Sequence, residues 1–169
     1  YYATDWDFIL TRAEVNGMIV IPLDGKVTVA QPDADTRSVL TVKYGDGLYE
    51  FSADLNAVMQ LGTVKASTWD YKNQQVSSGQ SSSHYAGAGN LTTEKLSQVI
   101  GVSPFMLRTS GPLENDDLTT WSKSQLIKSE YSKIQGEAKI DGTSIVAPGK
   151  YITLAGVGDR FNGNHLVSG

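Results

Sequence analysis

The sequence predicts an α+β fold in which antiparallel strands dominate. Three observations carry that prediction. Two regions, from Met18 to Tyr71 and from Ile134 to Val167, are rich in short apolar stretches punctuated by Asp-Gly, Gly and Pro. Helical periodicity shows in only three places, opening near Thr4, Leu91 and Asn115. Those helices are too few and too irregularly placed for repeated βαβ units. The chain of 169 residues is 40% hydrophobic and 19% charged, enough apolar matter for a core and too much for a disordered chain. That length fits one domain or a compact pair of lobes.

Element by element, the chain opens on TDWDFILTRAEVNG. Thr4 is suited to the N-cap, and Asp5 and Asp7 favour the positive end of the helix dipole. Trp6, Ile9, Leu10 and Ala13 recur at helical spacing, Phe8 and Val15 widen the apolar face, and Asn16-Gly17 supplies a left-handed stop. MIVIPL, Asp24-Gly25 and KVTVA then read as a hairpin, because Asp-Gly suits a two-residue turn with positive φ at both positions. Met18 to Leu23 is apolar on both faces and is expected inside a sheet, although Pro22 removes a ladder donor. Pro32 to Arg37 is a polar loop. Strands are expected at about Val39–Tyr44, Leu48–Ala57 and Gly62–Tyr71. The Ser/Gly run SSGQSSSHYAGAGN reads as a mobile loop or a linker between lobes. A short helix covers Leu91 to Ile100 and closes at Gly101, and Ser103 to Ser110 is a candidate strand. Asn115 is placed as the cap of the longest helix, with Leu118, Trp121, Leu126 and Tyr131 on one stripe. Strands at Ile134–Ile140, Tyr151–Ala155 and His165–Val167 finish the chain.

The chemical inventory is sparse. The formal net charge is −4, which favours neither nucleic acid nor an anionic membrane surface. No apolar run approaches the ~20 residues of a membrane span. Cysteine is absent, so there is no disulfide framework, thiolate metal site or thiol nucleophile. His84 and His165 share no ligand spacing with acids and are expected to be structural or solvent-facing. Ser81, Ser82 and Ser83 beside His84 lack a G-x-S-x-G elbow and read as loop. Asp33-Ala34-Asp35 resembles the start of a calcium loop, but Ser38 stands where its glycine belongs and Tyr44 where its closing Glu belongs. The pairs Asp5/Asp7 and Asp116/Asp117 each sit at a helix start, where carboxylates complement the dipole. Gly156 to Gly163 lacks the spacing and the Lys of a phosphate loop and reads as a long hairpin loop. Trp6 and Trp121 lie on helix stripes and are expected in core or interface packing. Trp69 and Tyr71 alternate on one strand face, either buried or a contact surface. No catalytic, cofactor-binding or metal residue is assigned, and no enzyme activity is expected. The chain begins Tyr1-Tyr2 without Met and stops within a strand pattern, so it is expected to be a piece of a longer protein.

Four stretches carry a resemblance: TDWDFILTRAEVNGM, VKASTWDYKNQQV, the late helix running into KIQGEAKIDG, and PGKYITLAGVGDRFNGNHLVSG. Together they resemble the valine-glycine repeat protein G family, the spike-tip hub of type VI secretion systems, and are similar to phage late-control protein D and the baseplate hubs of contractile tails. The helix-plus-hairpin opening and the late PG…L-x-G…FNG strand pair are the most specific parts, and residues 76 to 115 carry little of it. The resemblance implies a barrel-like hub domain with flanking helices. It also implies a homotrimer that docks on a hexameric tube protein and carries effector proteins, with no catalytic residues, cofactor or stable membrane anchoring. The protein would wait in the bacterial cytoplasm and then be injected, or sit on a phage tail particle. The layout expected on this basis is a strut at residues 1 to 36 whose hairpin extends the barrel sheet, barrel strands at 37 to 75 and 133 to 169, and a peripheral insertion at 76 to 132. The rival expectation is a carbohydrate-binding or adhesive β-module with Trp69, Tyr71 and Tyr85 as its stacking platform.

Overall fold

The computed structural model describes residues 2–32, 37–82 and 87–169. Among them are three helices and ten strands, an α+β architecture. Helix α1 (Asp5–Val15) starts where Thr4 Oγ1 accepts from the Asp7 amide at 3.1 Å, and it ends at Asn16. Strands β1 (Ile19–Leu23) and β2 (Lys26–Ala30) pair antiparallel around Asp24 at φ +50° and Gly25 at φ +72°, the left-handed pair that the Asp-Gly turn requires.

Two expectations about this hairpin are corrected. It does not extend a larger sheet, and Met18 to Leu23 does not lie inside one: β1 and β2 form a two-stranded sheet of their own. Cross-strand register gives the physical reason for its apolar content. Ile21, opposite Thr28, turns inward and packs over Gly149, whereas the pairs Val20–Val29 and Pro22–Val27 share the opposite face. The apolar second face is a surface, with Val27 54% and Val29 46% exposed.

Strands β3 (Leu40–Tyr44), β4 (Gly47–Leu55), β8 (Ile134–Ile140), β9 (Tyr151–Ala155) and β10 (Gly163–Leu166) form a five-stranded sheet in the order β10-β9-β3-β4-β8, which curls into a half-barrel. Its concave side buries Val42, Leu48, Ile152 and Leu154, with Phe51 and Val146 packed against them. The ring of Phe51 meets that of Phe161 edge-on at 5.6 Å.

The second sheet has the order β6-β5-β7, from β5 (Thr63–Asp70), β6 (Gln75–Ser82) and β7 (Phe105–Thr109). Here two further expectations give way. Thr63–Asp70, grouped by sequence with the barrel strands, pairs instead with β6 and β7. The first half of the Ser/Gly run is not a linker but strand β6, in register with β5 from Thr63–Ser82 to Asp70–Gln75. Ser83, His84 and Tyr85 lie outside the described residues, as do Asp33 and Asp35, and the end of the run, Gly89-Asn90, bonds to the loop before β10.

Helix α2 (Thr93–Ile100) is capped by Thr92, whose hydroxyl accepts from the Lys95 amide, and closes at Gly101. Helix α3 (Asn115–Tyr131) begins one residue earlier than expected, with Glu114 as its N-cap and the Glu114 amide donating to Asp117 Oδ2. Its buried stripe holds Leu118 and Leu126 as expected, but also Ser122, Ser124 and Ser129. The serines let the helix lie close to β5 and β6. Ser122 Oγ accepts from the Ala66 amide at 3.1 Å and lies within donating distance of Gly79 O and Leu118 O. A Cβ at Gly79 would overlap the backbone of Leu118 and Thr119. On its other flank, α3 holds α1: Ser124 Oγ donates to Glu14 O at 2.6 Å, and Lys128 pairs with the Glu14 carboxylate. The order of layers is therefore α1, α3, then the three-stranded sheet.

Candidate interaction surfaces

The largest anomaly of the molecule is its surface. It exposes 10817 Å², whereas a compact monomer of 18.2 kDa exposes about 8100 Å² by the usual area–mass scaling. Twelve apolar residues are buried and twenty-five large apolar side chains are exposed among the described residues. Scattered exposed apolar residues are ordinary, but contiguous ones mark an interface.

Two groups of exposed apolar residues stand out. The first comprises those of α1 and of the outer hairpin face that follows it in the chain. Trp6 and Leu10 lie along one side of α1, Phe8 and Val15 along the other, and all four are 39–47% exposed. A helix apolar on two sides is built for burial on two sides, and only the side of Trp6 and Leu10, which also carries the buried Ala13, turns toward α3, leaving Phe8 and Val15 on the side away from it. Trp6 is still 42% exposed near the helix start, while Trp121 on α3 is half-buried.

The second patch is the face of the three-stranded sheet turned away from α3. Along β5, Val64, Ala66 and Thr68 are buried under the helix, so Lys65, Ser67 and Trp69 point outward. Register brings Val76 beside Trp69, Met106 beside Lys65, and Arg108 beside Ser67. Trp69 is 44% and Val76 65% exposed. The sequence left open whether Trp69 and Tyr71 were buried; both are exposed, and Tyr71 lies in the turn beyond the end of β5.

Ionisable groups gather at one buried place, which sequence reasoning did not single out. Where α3 runs into β8, Lys133 is buried, and its Nζ donates to Leu91 O at 3.0 Å. Burial pushes the Lys133 ammonium below its ordinary pKa, opposed by the nearby Glu130 carboxylate. The hydroxyls of Tyr131 and Tyr151 meet at 2.6 Å. His165 Nε2 lies 2.7 Å from Phe161 O, and burial first, then the Lys133 charge, hold its imidazole below the ordinary value against that hydrogen bond. The tyrosine pair joins α3 to β9, Lys133 holds the segment ahead of α2, and His165 braces the loop that leads into its own strand. The only faint signal in sequence is a Lys immediately after an amphipathic helix, a position that normally faces solvent.

Elsewhere, the acids do what helix and turn starts ask of them. Asp7 Oδ2 accepts from Thr4 Oγ1, and Asp117 from the Glu114 amide. The Asp70 carboxyl is held below its usual range by the Asn73 side chain first, then by turn amides. The loop of residues 156–162 joins β9 to β10 and is closed on itself, with the Val157 amide donating to Asn162 Oδ1. No group of three or more His, Asp or Glu side chains converges as a metal site among the described residues. The two best-defined hollows are open depressions. One of about 400 Å³ lies between Leu40, Asp46 and Asp141, and one of about 530 Å³ between Asp70, Gln75 and Glu114. No helix among the described residues is long and apolar enough to cross a membrane.

A half-barrel sheet, a helix-backed second sheet and a free hairpin together define the fold found in phage tail proteins. The tail protein from Neisseria meningitidis MC58 superposes with a TM-score of 0.61 at 12% identity, over 96% of this chain and 47% of that one. The 43 kDa tail protein of prophage MuSo2 from Shewanella oneidensis gives 0.62 at 9% identity, over 98% and 47%. This chain therefore spans about half the length of the solved structures it matches. No curated protein matches the sequence. By sequence, the chain belongs to the Alg8 N-terminal domain family, matched over residues 1–169. The resemblance to spike hubs holds at the level of a fold shared with tail proteins; the family matched is not the valine-glycine repeat family itself.

Proposed function

We propose that this chain is a structural part of the hub of a contractile, tail-like injection machine, acting as a docking scaffold without a reaction centre. The observation that carries this reading is the fold, shared over 96% and 98% of the chain with two tail proteins. The surplus of exposed apolar surface supports it, because a chain with that surface is suited to standing among partners. In its finer form the reading follows the sequence resemblance. Three copies of the full-length protein present a ring to a hexameric tube protein, as in the tip of a type VI secretion system, and effector proteins travel on the spike. On this reading the protein waits in the bacterial cytoplasm and leaves it on firing. A half-barrel suits a scaffold, since curling a sheet toward closure leaves fewer open strand edges to pair with the wrong chain. Electron microscopy of the full-length parent tests it: three-fold particles are expected, and a parent that remains a monomer at every concentration overturns it.

A second reading, a carbohydrate-binding or adhesive module, is favoured by the exposure of Trp69 and Tyr71. A glycan array separates the two. Strong binding abolished by Trp69→Ala supports the module, and a blank array removes it.

A further inference from the structure

We propose that the outer face of the β6-β5-β7 sheet is the docking surface for the α1–hairpin face of a second copy of this chain. The proposal rests on the hub reading and gives it a specific contact. Three independent observations point to it.

The first is direction. Helix α1 packs on one flank of α3, through Ser124, Lys128 and Glu14, while the opposite flank of α3 covers β5 and β6 through Ser122 and Leu118. The free face of α1 and the free face of the sheet are thus the two ends of one stack of layers. Patches that differ and point away from each other cannot pair isologously. They pair head to tail, and that arrangement closes into a ring when the rotation allows.

The second is charge. The chain is acidic overall, at −4, yet the outer sheet face carries Lys65 and Arg108, and no carboxylate belongs to its outward positions. Residues 2–30 carry Asp5, Asp7, Glu14 and Asp24 against Arg12 and Lys26. Glu14 is engaged by Lys128. Arg12 lies over the Phe8 ring. Four carboxylates against two cations leave this stretch net acidic, opposite in sign to the sheet face. Such an arrangement selects partner and register more than it adds affinity.

The third is area. The exposed surface exceeds that of a compact monomer of this mass by about 2700 Å², more than the ~1600 Å² of a standard interface. A head-to-tail contact uses both patches of every copy in the ring, so two interfaces of standard size cover about 1600 Å² of each copy, over half of that surplus. The anchors would be Phe8 and Val27 of one copy against Trp69 and Met106 of the next, the aromatic-rich type of contact that dominates interface energetics.

The absence of cysteine makes the test clean. Val27→Cys and Met106→Cys chains, both exposed sites, are prepared separately, mixed and mildly oxidised. A disulfide-linked heterodimer is expected from the mixture, at least tenfold above that from Met106→Cys mixed with Val58→Cys. In parallel, the double reversal Lys65→Glu/Arg108→Glu in the full-length parent is expected to weaken self-association at least tenfold by sedimentation. Adding Asp5→Lys is expected to recover a substantial part of the loss, with circular dichroism confirming that each variant is folded. Particles that assemble with neither cross-link nor charge sensitivity overturn this contact while leaving the hub reading intact. A parent that never assembles overturns the hub reading and this contact with it.

Discussion

Gly79 is where the helix-backed sheet is least tolerant. It lies in β6 under α3, and a Cβ there would meet Thr119 Oγ1 at 2.6 Å and overlap backbone that cannot yield without moving the helix. Gly79→Ala is therefore expected to destabilise the chain by roughly 1–3 kcal/mol, the ordinary cost of overpacking. Chemical denaturation measures it; an unchanged midpoint would show that α3 is not held so close. His165 makes a second residue-scale expectation. Its pKa in the folded chain lies below the ordinary 6.5, because burial and Lys133 disfavour the imidazolium. Between the two values the unfolded chain binds more protons than the folded one. Stability is then complete above about 6.5 and falls as the pH drops through the folded value. His165→Gln, which keeps a donor for Phe161 O, is expected to flatten stability between pH 7 and 5. An identical slope in the variant assigns that dependence to other groups.

Among the elements, the hairpin is the most separable. It has no third strand among the described residues, and Ile21 over Gly149 and the link to α1 are among its contacts with the rest. A two-stranded ribbon is marginal by itself. Gly25 sits at φ +72° with open space around it, so Gly25→Ala adds backbone strain without a clash. A penalty of about 1 kcal/mol is expected to fall on the hairpin alone. Hydrogen exchange should accelerate at the paired amides of residues 19–30 and stay unchanged in β3, β4 and β9. Uniform acceleration across the chain would mean that the hairpin is integral to the core. This element also shows what the sequence makes legible. Thr4, Asn16-Gly17 and Asp24-Gly25 act within a few residues, so the helix, its stop and the turn can be read directly. Whether the hairpin joins a sheet depends on strands more than a hundred residues away, and no local pattern encodes that. Strand β6 escaped for a related reason: QVSSGQSS has the composition of a loop and becomes a strand because β5 pairs with it and α3 requires small residues beneath it. The alternation that put Trp69 on one face of β5 could not say which face α3 would cover.

For the molecule as a whole, the ratio of surface to mass sets the expectation. An unfolded chain of 18.2 kDa exposes about 26,400 Å², so folding to 10817 Å² removes roughly 59% of it. A domain of 150 residues ordinarily removes about 68–70%, and 60% is the figure for a domain of about 60 residues. This 169-residue chain therefore folds with the burial economy of a much smaller one. Part of the deficit lies in the exposed apolar residues of α1, the hairpin and the outer sheet face, and part elsewhere, as at Tyr49, Val58 and Val99. If copies of the chain cover those residues, assembly is linked to folding, and stability must depend on concentration. The thermal midpoint is expected to rise by several degrees across a hundredfold increase in chain concentration, and Phe8→Ser/Val27→Ser, which removes exposed apolar area without opening a core cavity, is expected to abolish the rise while leaving the dilute midpoint within about 1 kcal/mol of its original stability. A midpoint that does not move with concentration, in a chain that calorimetry shows to unfold reversibly, would mean that the exposed surface is covered by something other than a copy of itself.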